Sequence, residues 1–323
     1  MYSRDGAFVI NDYPALSMLF EPDLIPYKVT SPVGERSIIL APHPDDETIG
    51  CGGTIRLLLN AKKSVKVIFL TSGDKADPSH KLSHIVNKKN PPIPPFLKGG
   101  KGGLHNISPD QNHVTHYALL REKEAIDALN VLGISEYEFL RFPDRRLHEH
   151  YHEAADRLLK IFMVYRPDAV YSPSMIELNP DHRTTALLSL EIQRTVMNTD
   201  INTLIHDAPP PLPPLPDGWQ AGPQGGRVRV GVMPIRLVFY EVTTPLRPNM
   251  LVDITSTYRW KKKAIKKYAS QLKLMDYLKY ITALNVFRAL TADGASCVEA
   301  FWCADKPLSD EDVTSWLTYQ KKV

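Results

Sequence analysis

Cysteine, net charge and long apolar runs are all scarce in this chain, and each shortage excludes a class of protein. The 323 residues include three cysteines, Cys51, Cys297 and Cys303, with no CxxC pair, so we do not expect a disulfide-stapled extracellular module. A net charge of +3, from 39 basic and 36 acidic residues, provides no overall field to attract nucleic acid. No apolar run approaches the ~20 residues that cross a bilayer, and the N-terminus does not resemble a signal peptide. The sequence therefore predicts a cytoplasmic protein without a nucleic-acid partner or stable membrane insertion.

Apolar residues make up 43% of the chain, and their spacing predicts an α/β fold. Short β-rich runs alternate with stretches of helical spacing, a pattern typical of a doubly wound, largely parallel sheet with helices on both faces. We predict one domain over residues 36–323, preceded by an N-terminal extension, 1–35. The predicted strands are 37–43, 65–74, 136–142, 166–174, 235–242 and 297–304, and the predicted helices are 47–63, 117–134, 148–164, 179–197 and 260–278.

Three local features fall outside this alternation. Two Pro- and Gly-rich stretches, near 87–112 and 208–226, cannot bury a core and are predicted to be surface insertions. The basic run 259–268 is predicted to be a solvated helix face. Cys51 is predicted to be a small buried residue rather than a nucleophile, since no histidine is placed to activate it.

Two polar clusters follow two of the predicted strands. His43 to Glu47 stand between the first strand and its helix, and "NPDHR", 179–183, follows the strand at 166–174. Open α/β sheets build their sites at the carboxyl ends of strands, so we expect the clusters to meet. His43, Asp46 and His182 could then grip one Zn²⁺, which takes three protein ligands and a water in catalytic sites. Asp45 could take the proton from that water.

Each cluster also has a purely structural interpretation. Acidic side chains at 45–47 would favour a helix N-terminus through its dipole. Asn179, Pro180 and Asp181 suit the N-cap and the first two positions of a helix. A helix start does not require a histidine, however, so the presence of His43 and His182 in the two clusters favours a metal site.

Several segments together resemble the PIG-L/LmbE-like family of zinc-dependent de-N-acetylases. "APHPDDETIGCGGT" resembles the opening motif of that family, and "PDHR" resembles the loop that carries its last ligand. The other similar segments are "FLTSGD", "REKEAIDALNVLGI", "FLRFPDRRL", "RPDAVYSP", "VDIT", "SQ" and "VEAF".

The resemblance implies a Rossmann-like sheet and hydrolysis of an N-acetyl group, commonly on an N-acetylglucosamine conjugate. Water held by the metal would be the nucleophile and Asp45 the general base. Zinc is the implied cofactor, with other divalent metals such as Fe²⁺ left open. The implied ligands are His43, Asp46 and His182, and Arg121 and Asp144 resemble positions that hold the sugar.

One position departs from the pattern of this family. The family often has a histidine where this chain has Asn179. An amide can donate a hydrogen bond to a developing oxyanion, but it cannot carry a positive charge or pass on a proton. Asn179 is therefore predicted to be catalytic, while the general acid, the aglycone and the oligomeric state stay open.

Two rival functions remain. A non-catalytic sugar-binding relative would keep the fold, and Asn179 is the feature that favours it. A zinc metallopeptidase would use His148-Glu149-x-x-His152, whose spacing puts two histidines on one helical face. That motif follows a turn, and its only downstream carboxylate candidate is Glu177, in a loop.

Overall fold

A computed structural model describes residues 27–76, 115–198, 235–304 and 306–321. Within these ranges eight strands form one sheet. They are β1 (Lys28–Val29), β2 (Arg36–Ala41), β3 (Ser64–Thr71), β4 (Glu136–Phe142), β5 (Ala169–Pro173), β6 (Arg236–Tyr240), β7 (Met250–Asp253) and β8 (Val298–Ala304).

The described helices connect these strands and cover both faces of the sheet. They are α1 (Asp46–Asn60), α2 (His116–Leu132), α3 (Tyr151–Tyr165), α4 (Pro180–Asn198), α5 (Tyr258–Ile265), α6 (Ala269–Leu272), α7 (Tyr277–Arg288) and α8 (Asp310–Lys321). Short 3₁₀ turns lie at Asp74–Ala76, Leu147–His150 and Ala289–Thr291.

The strand order is β1-β7-β8-β6-β5-β2-β3-β4. Every pairing is parallel except those of β8 with β6 and with β7, so the predicted mostly parallel, Rossmann-like sheet is confirmed. From β2 the chain proceeds outward through β3 and β4, then returns to β5 on the other side of β2. The order thus reverses between β2 and β5, and ligands of open α/β sheets bind at such a switch point.

Alternation along the strands separates two hydrophobic cores. Ile39 faces the core that α1, α2 and α5 cover, whereas Ile38 and Leu40 face the core beneath α3, α4 and α8. Successive side chains of a strand point to opposite faces of the sheet. A strand with apolar residues at every position is therefore buried on both sides, as β2 is.

The predicted helix 260–278 is not a single helix. Helix α5 ends at Ile265, α6 is one short turn, and α7 begins at Tyr277. The chain breaks at Tyr268, which is 2% exposed and directs its hydroxyl to the carboxylate of Glu47, 2.5 Å away. A helix-period pattern could not reveal this contact, because its partner lies 221 positions away in the sequence.

The basic run 259–268 is solvated only in part. Lys261 is fully buried, and its Nζ lies 2.7 Å from Oε1 of Glu299 on β8. The same carboxylate accepts the backbone N–H groups of Gly53 and Thr54 at 2.9 and 2.8 Å. The prediction of a solvated face was wrong at Lys261, which ties α5 to the same carboxylate that holds α1 against the sheet.

Other predicted boundaries shift by a few residues. The helix predicted from residue 148 begins at Tyr151, after a 3₁₀ turn. Strand β7 and helix α8 were not predicted. Strand β1 pairs with β7, although residues 28 and 29 lie inside the predicted extension, 1–35. The boundary of the predicted domain stays a prediction. Both predicted insertions, 87–112 and 208–226, lie outside the described residues.

Candidate active site

A cleft of about 180 Å³ opens at the switch point. The turn after β2 supplies His43 and Asp45, the first turn of α1 supplies Asp46, and the first turn of α4 supplies His182. The described residues that line the cleft are His43, Asp45, Asp46, Ile49, Ala76, Arg121, Asp144, Arg145, Asn179, His182, Val242, Thr243, Gln271 and Tyr277.

Three potential ligand atoms converge in this cleft. Nδ1 of His43 lies 3.1 Å from Oδ2 of Asp46 and 3.2 Å from Nε2 of His182. Asp46 Oδ2 and His182 Nε2 are also 3.2 Å apart. Zinc ligands at about 2.0–2.1 Å in a tetrahedron lie roughly 3.3 Å from one another. The three atoms therefore already have the separations of a single coordination shell.

The charges around these atoms favour a cation. Burial alone would lower the pKa of His43, but surrounding carboxylates raise it well above its ordinary value. Burial likewise opposes the charged form of His182, yet Asp46 and Glu177 raise its pKa to about 9. Burial would raise the pKa of Asp46, and the two imidazoles hold it below its usual range. The raised pKa values of the two imidazoles indicate that the surrounding carboxylates stabilise positive charge at this point, and the lowered pKa of Asp46 keeps its carboxylate ionised beside them.

Further carboxylates orient the two imidazoles. His43 Nε2 lies 3.2 Å from Oδ1 of Asp144 and 3.3 Å from Oδ2 of Asp181. His182 Nδ1 is buried, has no hydrogen-bond partner in the described part of the chain, and faces Glu177 Oε2 at 3.7 Å. Histidine ligands of metals usually direct their other ring nitrogen at a carboxylate. The donor set and its surroundings thus fit Zn²⁺.

Asp45 lines the same cleft without joining the three candidate ligands. Its Oδ2 lies 2.9 Å from Nη2 of Arg121. Burial raises the pKa of Asp45 to about 7, with Arg121 acting in the opposite direction. Asp45 occupies the N-cap position of α1, but its side chain makes no capping hydrogen bond. Helix capping by its side chain therefore does not account for this carboxylate.

Arg121 and Asp144, the predicted sugar-binding residues, both line the cleft. Arg121 is 3% exposed, and its guanidinium donates to the backbone oxygens of Gly73 and Pro44 besides facing Asp45. Asp144 accepts the backbone N–H of Lys75 at 2.8 Å. Their nearest partners are thus protein groups, and a role in sugar binding stays a prediction.

Asn179 caps α4 as the helix-start interpretation predicts. Its side-chain oxygen accepts the backbone N–H of Asp181 at 2.9 Å, so the amide NH₂ is left for the cleft that it lines. Asp181 is more than an ordinary first-turn acid. It is fully buried and accepts the backbone N–H groups of Arg145 and Leu147 at 2.6 and 3.1 Å.

Sequence reasoning missed one wall of the cleft. Gln271 and Tyr277 approach it from the broken helical segment, and Val242 and Thr243 approach it from the loop after β6. Glu177 holds that loop by accepting backbone N–H groups from Val242, Thr243 and Thr244. The "SQ" segment gave a resemblance but no geometric signal that it would face His43.

The alternative peptidase motif does not form a comparable cluster. His148 and His152 are exposed, and Glu149 is ion-paired with Arg146. Among the described residues, the two groups of candidate metal ligands both contain His43, and neither contains His148 or His152. Glu177, the candidate third ligand of the peptidase, instead lies beside His182.

The fold and this cluster define an α/β protein with a candidate metal site at the carboxyl ends of its parallel strands. Residues 38–193 match a family model described as "PIG-L: GlcNAc-PI de-N-acetylase". The match begins in β2 and ends inside α4, so it contains His43, Asp46 and His182. Over these residues, just under half of the chain, the sequence is similar to the PIG-L family.

Two curated proteins are similar to parts of the chain. A diacetylchitobiose deacetylase of Thermococcus kodakarensis is 25% identical over 170 residues, 51% of this chain and 52% of that protein. A putative glucosamine-6-phosphate deaminase-like protein of Bacteroides thetaiotaomicron is 30% identical over 132 residues, 35% of this chain and 20% of that protein. The chain thus spans about half or less of the length of these relatives.

A solved structure has a similar fold. It is an N,N'-diacetylchitobiose deacetylase from Pyrococcus horikoshii in complex with an inhibitor. It covers 94% of this chain and 98% of its own, with a TM-score of 0.58 and 22% identity. This likeness supports the α/β architecture. No helix in the described ranges combines the length and apolar character that a membrane crossing requires.

Proposed function

We propose that this chain is a metal-dependent hydrolase that removes the N-acetyl group from an N-acetylglucosamine-type sugar conjugate. The observation that carries the proposal is the mutual separation of 3.1–3.2 Å among His43 Nδ1, Asp46 Oδ2 and His182 Nε2. These three residues hold the metal, with Zn²⁺ as the expected ion. A divalent cation there lowers the pKa of a water molecule and polarises a carbonyl oxygen.

Asp45 is the general base in this proposal. Its carboxylate lines the cleft beside the candidate ligands, and burial raises its pKa to about 7. A carboxylate with a pKa near the working pH can accept a proton from water and later return it to the leaving amine. Arg121 fixes the orientation of Asp45 through a contact of 2.9 Å.

Asn179 donates a hydrogen bond to the oxygen that becomes negative in the transition state. Its side-chain oxygen is occupied by the cap of α4, so its NH₂ group is the part that can face substrate. An amide donor stabilises an oxyanion without changing its own protonation state. The proton for the departing amine therefore comes from Asp45 rather than from position 179.

The substrate class comes from the family and the relatives. The family description names an N-acetylglucosaminyl lipid, and one relative is named for diacetylchitobiose. We propose an N-acetylated amino sugar in a small molecule or a glycoconjugate. All three cysteines lie in the described residues as buried free thiols, which supports a reducing, cytoplasmic location.

Acetate release from a panel of N-acetylglucosamine conjugates tests this function. We expect zinc-loaded protein to release acetate, and Asp45→Asn to lose activity by about 100- to 10,000-fold while retaining zinc. Asp127→Asn is the matched control, because Asp127 is a solvent-exposed partner of Lys123 on α2. Zinc binding with no turnover on any conjugate would instead favour a sugar-binding protein, the alternative that Asn179 keeps open.

A further inference from the structure

Asp45 has a backbone conformation that needs support from its surroundings. Its φ of 128° and ψ of −28° lie where residues with a side chain are rarely found. Such conformations persist only when neighbouring groups hold them, and they cluster at functional sites. The position of the proposed base therefore depends on whatever holds this backbone.

Glu47 is one of the groups that hold it. Its Oε2 accepts the backbone N–H of Asp45 at 3.2 Å. On the other side of the residue, the carbonyl of Asp45 accepts the N–H groups of Thr48 and Ile49 at 3.1 and 2.9 Å. Glu47 thus holds the N–H of Asp45, and the first turn of α1 holds its carbonyl oxygen.

Glu47 has neither of the other roles that a polar residue at this site could have, cleft lining or metal ligation. It is fully buried, does not line the cleft, and belongs to neither group of candidate metal ligands. A buried carboxylate costs free energy unless hydrogen bonds satisfy it. Its Oε1 accepts the hydroxyl of Tyr268 at 2.5 Å and the hydroxyl of Thr48.

Tyr268 is held in place by its own segment. It lies at the break between α5 and α6, and the next turn is tied to α2 because Ser270 donates its N–H and its hydroxyl to Glu124 at 2.8 and 2.6 Å. The segment that carries Tyr268 is therefore fixed to α2.

We propose that Glu47 and Tyr268 are positioning residues that hold Asp45 in its strained conformation and so aim its carboxylate at the reacting water. The role rests on the proposed function, in which Asp45 is the general base. Neither side chain touches the cleft, so both act through the backbone of Asp45.

Tyr268→Phe tests the proposal by removing a single hydroxyl from a ring that stays in place. We expect kcat for acetate release to fall by roughly 10- to 100-fold, with KM and zinc stoichiometry unchanged. We also expect amide hydrogen exchange, measured by mass spectrometry, to become about ten-fold faster in the peptide covering residues 41–48. Glu47→Gln should produce the same pattern.

Tyr258→Phe is the matched control. Tyr258 also donates to a side-chain oxygen, that of Thr282 at 2.5 Å, and within the described part of the chain no hydrogen bond joins it to the turn at Asp45. We expect this variant to leave kcat and exchange in residues 41–48 at the wild-type level. A purely structural role for Tyr268 would give general acceleration of exchange and equal effects in both variants.

The outcomes separate this proposal from the function on which it rests. Unchanged exchange and a kcat within two-fold of wild type in Tyr268→Phe would overturn the positioning role. Loss of zinc in that variant would also overturn the positioning role, since the contact between Glu47 and Tyr268 would then support the candidate metal ligand Asp46 instead. If the wild-type protein turns over no N-acetyl sugar, the proposed function fails, while the exchange measurement still decides whether Tyr268 holds the turn.

Discussion

Replacing His182 by alanine should abolish the stabilisation that zinc gives to the folded chain. His182 supplies one of the three atoms of the proposed zinc site and comes from a different segment of the chain than the other two. Without its Nε2, His43 and Asp46 remain as neighbours three positions apart. Two ligands from a single turn do not complete the three-residue set of a catalytic zinc site.

The expected size of the effect follows from mass action. Zinc at 100 times its Kd stabilises the folded state by ≈ 2.7 kcal/mol. With an unfolding entropy near 2.1 cal/mol/K per residue, the 323-residue chain should gain roughly 4 °C in Tm. If the substitution weakens binding about 100-fold, the same zinc concentration leaves a gain below about 1 °C.

The assay compares Tm with and without zinc for each protein, starting from metal-free samples. This difference cancels the stability that the buried His182 side chain contributes by packing. His148→Ala is the control, since His148 is exposed and belongs to the alternative peptidase motif. It should keep the full zinc-dependent gain.

Two results would refute the reasoning. An undiminished gain in His182→Ala would show that zinc binds elsewhere. If zinc no longer raises the Tm of His148→Ala but still raises that of His182→Ala, the metal binds at the peptidase motif. The basis of the proposed deacetylase would then be removed. Zinc content after gel filtration gives an independent check on both variants.

Two further predictions concern a buried ion pair and the helix cap. Lys261→Met should lower the free energy of unfolding by about 3–5 kcal/mol, because it leaves the buried carboxylate of Glu299 without its cation. Chemical denaturation measures this free energy. Lys262→Met, at an exposed position, should change it by less than about 0.5 kcal/mol. Equal effects of the two substitutions would contradict the buried pairing. Asn179→Asp keeps the oxygen that caps α4 but removes the amide donor, so kcat should fall by roughly 100- to 1,000-fold while Tm stays constant. Wild-type kcat in that variant would exclude Asn179 from oxyanion stabilisation.

Local patterns predicted the sheet and the approximate position of the site. Strand β4 was predicted with its observed bounds, and α2 within one or two residues, because apolar periodicity and the helix-ending Gly133 are local signals. The rule that open sheets bind ligands at strand ends then placed the two polar clusters on one edge. The structure brings His43 and His182, 139 positions apart, to 3.2 Å.

Contacts between distant segments defeated the same reasoning. A run of lysines with helical spacing predicts a solvated face, and nothing within the run reveals that Glu299, 38 positions later, draws Lys261 into the interior. Tyr268 lies where a helical pattern is interrupted, and its hydroxyl bonds Glu47, 221 positions earlier. Neither partner can be identified from spacing.

The sequence by itself determined the α/β class, the order of most elements and the residue types gathered for a cation, since these follow from periodicity and from chemistry confined to short segments. Only the tertiary structure decided which acids orient the imidazoles, how the backbone of Asp45 is held, and which C-terminal side chains face the cleft. Those outcomes depend on which buried polar groups find partners when separate segments pack together. That pairing is a property of the whole fold, because a buried carboxylate or ammonium group must be satisfied by whatever the tertiary structure brings beside it.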